Sequence, residues 1–225
     1  MRFDDCLARL EPLPAALPPG PPSLMPLLHE AGGTRPVPGL EEPFPDARTA
    51  AVLVLLYPDA RGEAQIVVTE RTSRGERDHH AGDVSFPGGR AEPEDADLEA
   101  TALREAAEEV GLEPAECGLR VIGRLPTLWI PVSNHAVTPV VAVAARRPAM
   151  APQPTEVAAI LDLPVAAILP GAPLVGRERT FRDRRLTYDA YPIDHLPGAS
   201  PDLVIWGMTA RVLGGLGAWL GRDGG

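Results

Sequence analysis

A chain of 225 residues, 44% hydrophobic and with a net charge of −10, is long enough for one large domain, or one domain with extensions, around a sizeable core. The acidic balance argues against a sequence-independent grip on nucleic acid, and all 21 basic residues are arginine, which excludes Schiff-base and P-loop lysine chemistry. No run approaches the roughly 18 apolar residues of a membrane span, and the start, Met1-Arg2-Phe3-Asp4-Asp5, lacks the basic-then-apolar order of a secretion signal, so a cytoplasmic protein is the expectation. Cys6 and Cys117 stand too far apart in sequence for a CxxC site and read as buried or idle thiols.

Residues 1–46 are rich in proline and carry two short amphipathic pieces, Phe3–Leu10 and Ser23–Glu30, expected as helices or turns on the outside of the domain, or as a partly ordered arm. Ala50–Leu56 is a short continuous apolar run, as a buried strand shows, and Ala64–Glu70 is a second. Tyr57 to Gly62 between them is turn chemistry, so the pair reads as a hairpin. A polar loop follows, with Arg71, Arg77, His79 and His80. Arg120–Leu125 and Val137–Ala144 read as further strands, and Val157–Leu161 and Val165–Leu169 as short apolar segments. Thr180–Tyr191 reads as strand-like, and the alternating signs of Arg177–Arg185 suggest an exposed strand or hairpin. Asp202–Leu220 reads as a closing helix that packs through Leu203, Trp206, Val212 and Leu216.

The stretch Ser85–Leu112 holds the chemistry. Phe86-Pro87-Gly88-Gly89 is a turn whose glycines let the backbone approach a ligand closely. A helix is predicted from about Asp97 to Val110, capped by Asp95 or Asp97 and stopped by Gly111, with Leu98, Thr101, Ala102, Leu103, Ala106 and Val110 inward. Glu105, Glu108 and Glu109 at i, i+3 and i+4 put three carboxylates on one helical face, where Arg104 pairs with Glu108. Three crowded carboxylates repel one another unless a cation sits among them, and hard oxygen donors suit Mg²⁺ or Mn²⁺. A solvated acidic face is the alternative.

Gly89 to Leu112 resembles the Nudix box of the Nudix hydrolases, G-x5-E-x7-R-E-U-x-E-E-x-G-U, at Gly89, Arg104, Glu105, Ala106, Glu108, Glu109, Gly111 and Leu112. It departs from the box at Asp95, which stands for the first glutamate with eight residues before Arg104. The resemblance implies an α/β Nudix fold, a mixed β-sheet sandwiched between helices, over residues 47–225. It further implies a divalent metal, Mg²⁺ or Mn²⁺, on Glu105, Glu108, Glu109 and the backbone of Gly89. Glu105 and Arg104 belong to the expected catalytic set, Arg104 as orienter; Glu108, and after it Glu156, are candidates for the general base, with His79, His80 and His135 behind them.

Val67-Val68-Thr69-Glu70-Arg71, with Arg77, Gly82 and Phe86 to Gly89, resembles the motif of the coenzyme A pyrophosphatase branch, L-L-T-x-R-[SA]-x3-R-x3-G-x3-F-P-G-G, in a slightly longer loop. Thr127–Val141 and the I-W-G-M-T-A-R run, Ile205 to Arg211, resemble later segments of that branch. The resemblance implies hydrolysis of the diphosphate of coenzyme A or acyl-CoA, with Arg71, Arg77, Gly88 and Gly89 at the substrate, and it suggests a homodimer. Other Nudix substrates (ADP-ribose, NADH, a dinucleoside polyphosphate, an isoprenoid diphosphate) and a nucleotide-binding regulator without activity are the alternatives.

Overall fold

The computed structural model describes residues 1–30, 32–37, 46–72, 83–131, 133–181 and 184–222. In chain order its elements are α1 (Phe3–Leu10), β1 (Leu27–Glu30), β2 (Gly33–Pro36), β3 (Arg48–Pro58), β4 (Ala64–Arg71), β5 (Val84–Ser85), β6 (Gly88–Arg90), α2 (Leu98–Val110), α3 (Pro114–Cys117), β7 (Arg120–Arg124), β8 (Leu128–Ile130) and β9 (His135–Val143). Then follow β10 (Val157–Pro164), β11 (Val175–Phe181), β12 (Arg184–Pro192), β13 (Val204–Ile205) and α4 (Gly207–Leu220).

Strand β3 explains the layering. Its apolar run is continuous because both faces are covered: Ala50, Val52, Val54 and Leu56 enter one buried cluster, and Ala51, Leu53, Leu55 and Tyr57 enter the other. The main sheet runs β10-β4-β3-β9-β7, with β5 on β4, β6 on β3 and β8 on β9. It is mixed, since β3 and β9 are parallel while β3 and β4 are antiparallel. Helix α2 covers one face through Ala102, Ala106 and Val110. On the other face lie α1, through Phe3, Cys6 and Leu10, and α4, through Ala210, Leu213, Leu216 and Leu220. The mixed sheet between helices and the β3–β4 hairpin are as the sequence predicts.

A second sheet runs β11-β12-β1-β2 with β13 beside β12; the sequence predicts its hairpin but not its pairing with β1 and β2. The strand-like stretch around Thr180–Tyr191 is the β11–β12 hairpin, and it pairs with β1, whose strand comes from the Ser23–Glu30 piece. That piece opens as a short 3₁₀ turn, Pro22–Leu24, and continues extended. Val165–Ile168 is likewise a 3₁₀ turn, and α4 is seated tightly on it: a Cβ at Gly217 would come within 1.8 Å of the Ile168 carbonyl oxygen. The closing helix begins at Gly207, after the two-residue strand β13.

Candidate functional site: an acidic helix face beside an arginine-lined cavity

The glycine turn is held by the edge of β3. Gly88 and Gly89 pair with Val52 and Ala51, and the Leu53 amide donates to the Pro87 carbonyl at 2.7 Å. Gly88 has φ +152°, and a Cβ there would lie 2.4 Å from the Ala51 carbonyl oxygen. At Gly89 a Cβ would lie 2.5 Å from the carboxylate carbon of Glu105. At Gly88 the clash is with fixed backbone at a positive φ and demands glycine, whereas at Gly89 a side chain would displace the Glu105 carboxylate packed upon it. The Gly88 amide donates to Glu109 Oε2 at 3.1 Å, so the turn and α2 meet through two of the three predicted carboxylates.

The start of α2 divides labour between two aspartates. Asp97 caps the helix, accepting from the amides of Glu99 and Ala100, each at 2.9 Å. Asp95 instead receives a bidentate pair from Arg104, Nε at 2.9 Å and Nη2 at 3.1 Å, and hydrogen bonds from the Thr101 hydroxyl and the Glu92 amide. Arg104 also reaches Glu105 Oε1 and Glu108 Oε2, each at 3.1 Å, and the Arg90 carbonyl at 2.9 Å. It is a hub tying the loop before α2 to two of its glutamates. The bidentate pair with Arg104 holds the Asp95 carboxyl well below the usual carboxylate range. The aspartate that departs from the Nudix box thus serves as the anchor of this arginine.

Glu109 is 4% exposed. Burial pushes its carboxyl up to about 7; the Gly88 amide and the Arg71 guanidinium pull the other way, and the charges of Glu105 and Glu156 push further up. Burial also raises Glu105, against the pull of Arg104. Glu108 is the outer member, with its side chain 59% exposed. Glu156 arrives on a loop clamped to the end of α2, where the Gln153 amide donates to the Glu109 carbonyl at 2.8 Å and Thr72 donates to the Glu156 carbonyl at 2.9 Å. As placed, no group of three or more His, Cys, Asp or Glu side chains among the described residues is gathered closely enough to hold a metal ion. The donors nevertheless fit a hard divalent cation: two desolvated carboxylates, a third at the rim and a fourth nearby form an excess of negative charge that a cation would offset.

Arg71 joins this face to a cavity. Its Nη1 lies 3.8 Å from Glu109 Oε1, and the same side chain lines a cavity of about 260 Å³. The walls come from β5, the β8 end, β11, β12 and the start of α4, and include Asp83, Trp129, Arg179, Trp206 and Arg211. Trp206 stacks on Tyr188 at 4.8 Å between centroids, lies under Arg179 at 5.0 Å, and donates to Asp83 Oδ1 at 3.0 Å. The structure therefore brings Arg71, Gly88, Gly89, Glu105, Glu109 and Arg104 together, with Glu108 at the rim and Glu156 beside them. Arg77, His79 and His80 lie outside the described residues, and His135 belongs to the β9 end, where burial and the Arg48 charge lower its pKa.

Trp206, Arg179 and Arg211 carry no predicted site role. The signal was the Ile205–Arg211 run, recognisable as a segment but not as a wall, and the Arg177–Arg185 stretch, whose alternating charges describe a surface. Within that stretch Arg185 does pair with Glu178 in solvent, while Arg179 turns inward to Asp83 at 3.5 Å.

Residues 47–181 match the family model of the NUDIX domain. The chain is 38% identical over 138 residues to Nudix hydrolase 22, chloroplastic, of Arabidopsis thaliana, covering 60% of this chain and 43% of that protein. It is 35% identical over 136 residues to the uncharacterised Nudix hydrolase NudL of Pectobacterium atrosepticum, covering 60% of this chain and 65% of that one. The match thus spans about half the length of the plant relative and under two thirds of the bacterial one. Among solved structures, the Nudix hydrolase RenU of M. smegmatis aligns with a TM-score of 0.45 at 23% identity, over 63% of this chain and 81% of that chain. With the glycine turn, the arginine hub and the glutamates of α2 all falling inside the matched residues, the chain belongs to the Nudix family.

Proposed function

We propose that the protein is a metal-dependent diphosphatase that hydrolyses coenzyme A or acyl-CoA to adenosine 3′,5′-bisphosphate and 4′-phosphopantetheine or its acyl form. The observation that carries this reading is the position of Arg71, which touches Glu109 and lines the adjoining cavity. The acidic face and the arginine-lined cavity are then one continuous site, suited to a diphosphate that carries further anionic groups.

Glu105, Glu108 and Glu109, with the backbone of Gly89, would hold Mg²⁺ or Mn²⁺, which when bound supplies charge neutralisation at the diphosphate and acidifies a water. Arg104 fixes the orientation of Glu105 and Glu108 through its own anchor on Asp95. Glu108, the exposed carboxylate, takes the proton of the attacking water in this reading, and Glu156 is the second candidate for that step. Arg71 and Arg77 steady the non-bridging phosphate oxygens in a planar, bidentate way that lysine does not offer. Water attacks one phosphorus, its oxygen joins that phosphate, and the bridging P–O bond breaks. In the same reading the enzyme is cytoplasmic and a homodimer.

The test is product chromatography from CoA, dephospho-CoA and ADP-ribose with purified protein, in Mg²⁺ and after chelation. Release of adenosine 3′,5′-bisphosphate from CoA, in preference to the other two and lost on chelation, is the expected result. Cleavage of ADP-ribose in place of CoA would leave only the metal site of this proposal standing.

A further inference from the structure

Among the described residues the arginines around the cavity are not all matched by a carboxylate. Arg179 faces Asp83 at 3.5 Å, and Arg71 faces Glu109 at 3.8 Å. Arg211 lines the same cavity from the first turns of α4, is partly buried, and has no hydrogen bond or ion pair among the described residues. Burial lowers its pKa. A guanidinium brought out of water without an anion is destabilising, so its retention at a cavity wall calls for an anion that arrives from outside. The wall is also rigid. Residues Ala210, Val212 and Leu213 beside it are buried, and α4 is locked by the contact of Gly217 with Ile168. A charge held so firmly loses little freedom on binding.

We propose that Arg211 is a specificity residue that holds a second phosphate of the substrate, one distinct from the diphosphate that is cleaved. Arg71 takes the diphosphate at the boundary with α2, and Arg211 takes the additional phosphomonoester inside the cavity. In coenzyme A that group is the 3′-phosphate. The apolar walls around Arg211, including Trp129, Ile130 and Met208, exclude water and strengthen the pair. The inference rests on the diphosphatase reading above and names the substrate class within it.

The experiment has two arms. Calorimetric titration of the purified protein with adenosine 3′,5′-bisphosphate and with AMP, without metal, needs no turnover. The wild type is expected to bind the bisphosphate about tenfold more tightly or better, and Arg211→Gln to erase that preference while changing AMP affinity less than about twofold. Kinetics with CoA and dephospho-CoA form the second arm: Arg211→Gln should raise KM for CoA about tenfold with kcat nearly unchanged, and leave dephospho-CoA alone. Arg211→Lys keeps the charge and the stem and should recover part of the discrimination, which preserves the comparison if the glutamine variant folds poorly. Equal binding of the two nucleotides by the wild type, or an equal loss of both in Arg211→Gln, overturns the proposal. Failure of the wild type to cleave CoA would sink the diphosphatase reading, and the titration would still decide whether Arg211 reads a second phosphate.

Discussion

Glu109 is almost wholly buried, yet it faces a backbone amide and a rather distant guanidinium. A glutamine at this position keeps an acceptor for Gly88 and removes a buried charge. Glu109→Gln is therefore expected to retain the thermal midpoint while metal-dependent turnover falls about a hundredfold or more, the scale seen when a group stabilising developing charge is removed. Retained turnover in that variant would remove Glu109 from the metal site. Asp95 carries a different prediction. Its folded carboxyl is held below the ordinary range of about 3.9, so its contribution to stability is present above that pH and is lost as pH falls through the lower folded value. Asp95→Asn should melt earlier than the wild type at pH 7, and the gap should shrink below about pH 4. A gap that persists unchanged in acid would mean that the pair with Arg104 is not the source.

At the scale of elements, α4 is set by what it packs on more than by its own propensity. Four of its residues, Gly214, Gly215, Gly217 and the initial Gly207, are glycine, a poor composition for an isolated helix. Gly217 exists where the helix backbone crosses the Ile168 carbonyl, and a methyl group there has no space. Exposed helical Gly→Ala changes stabilise by up to about 1 kcal/mol, but Gly217→Ala is expected to destabilise by about 1–3 kcal/mol, as overpacking does, read from the denaturant midpoint. Because α4 carries Arg211 and borders the cavity, a shift of this helix should also weaken nucleotide binding. An Ala variant as stable as the wild type would show that the contact is readily relieved.

At the scale of the whole molecule, residues before β3 take part in the core. Leu10 and Leu24 are fully buried in the same cluster as Val54, Leu56, Leu161 and Leu213. Helix α1 packs on α4 and β4, Arg9 donates to the Leu220 and Arg222 carbonyls, and Trp219 donates to the Arg9 carbonyl at 2.8 Å. The two ends of the chain thus brace each other across the covered face of the sheet. Leu10→Ala should cost about 2–5 kcal/mol, as for a central strand leucine. A loss under about 1 kcal/mol, within the range of surface changes, would show that α1 is dispensable.

Local patterns carried much of this architecture. The apolar run of β3 and the turn before β4 define a hairpin, and the acidic face of α2, its aspartate cap and its glycine stop all lie within a few turns of one another. Such features are legible because period, capping and turn chemistry act between near neighbours. The second sheet was not legible as a sheet: β12 reads as strand-like, but it pairs with β1 across some 160 residues, and β1 is only four residues long and largely exposed. The same holds for the cavity: Arg71 of β4, Arg179 of β11, and Trp206 and Arg211 at the start of α4 converge there, and only the packing of those elements decides which arginine faces a carboxylate and which is left for a ligand. The sequence by itself determined the family, the acidic helix face and the glycine turn. Tertiary structure alone decided that Glu109 is desolvated, that Arg179 turns inward and that Arg211 has no ion pair among the described residues, because burial and charge pairing are set by long-range packing.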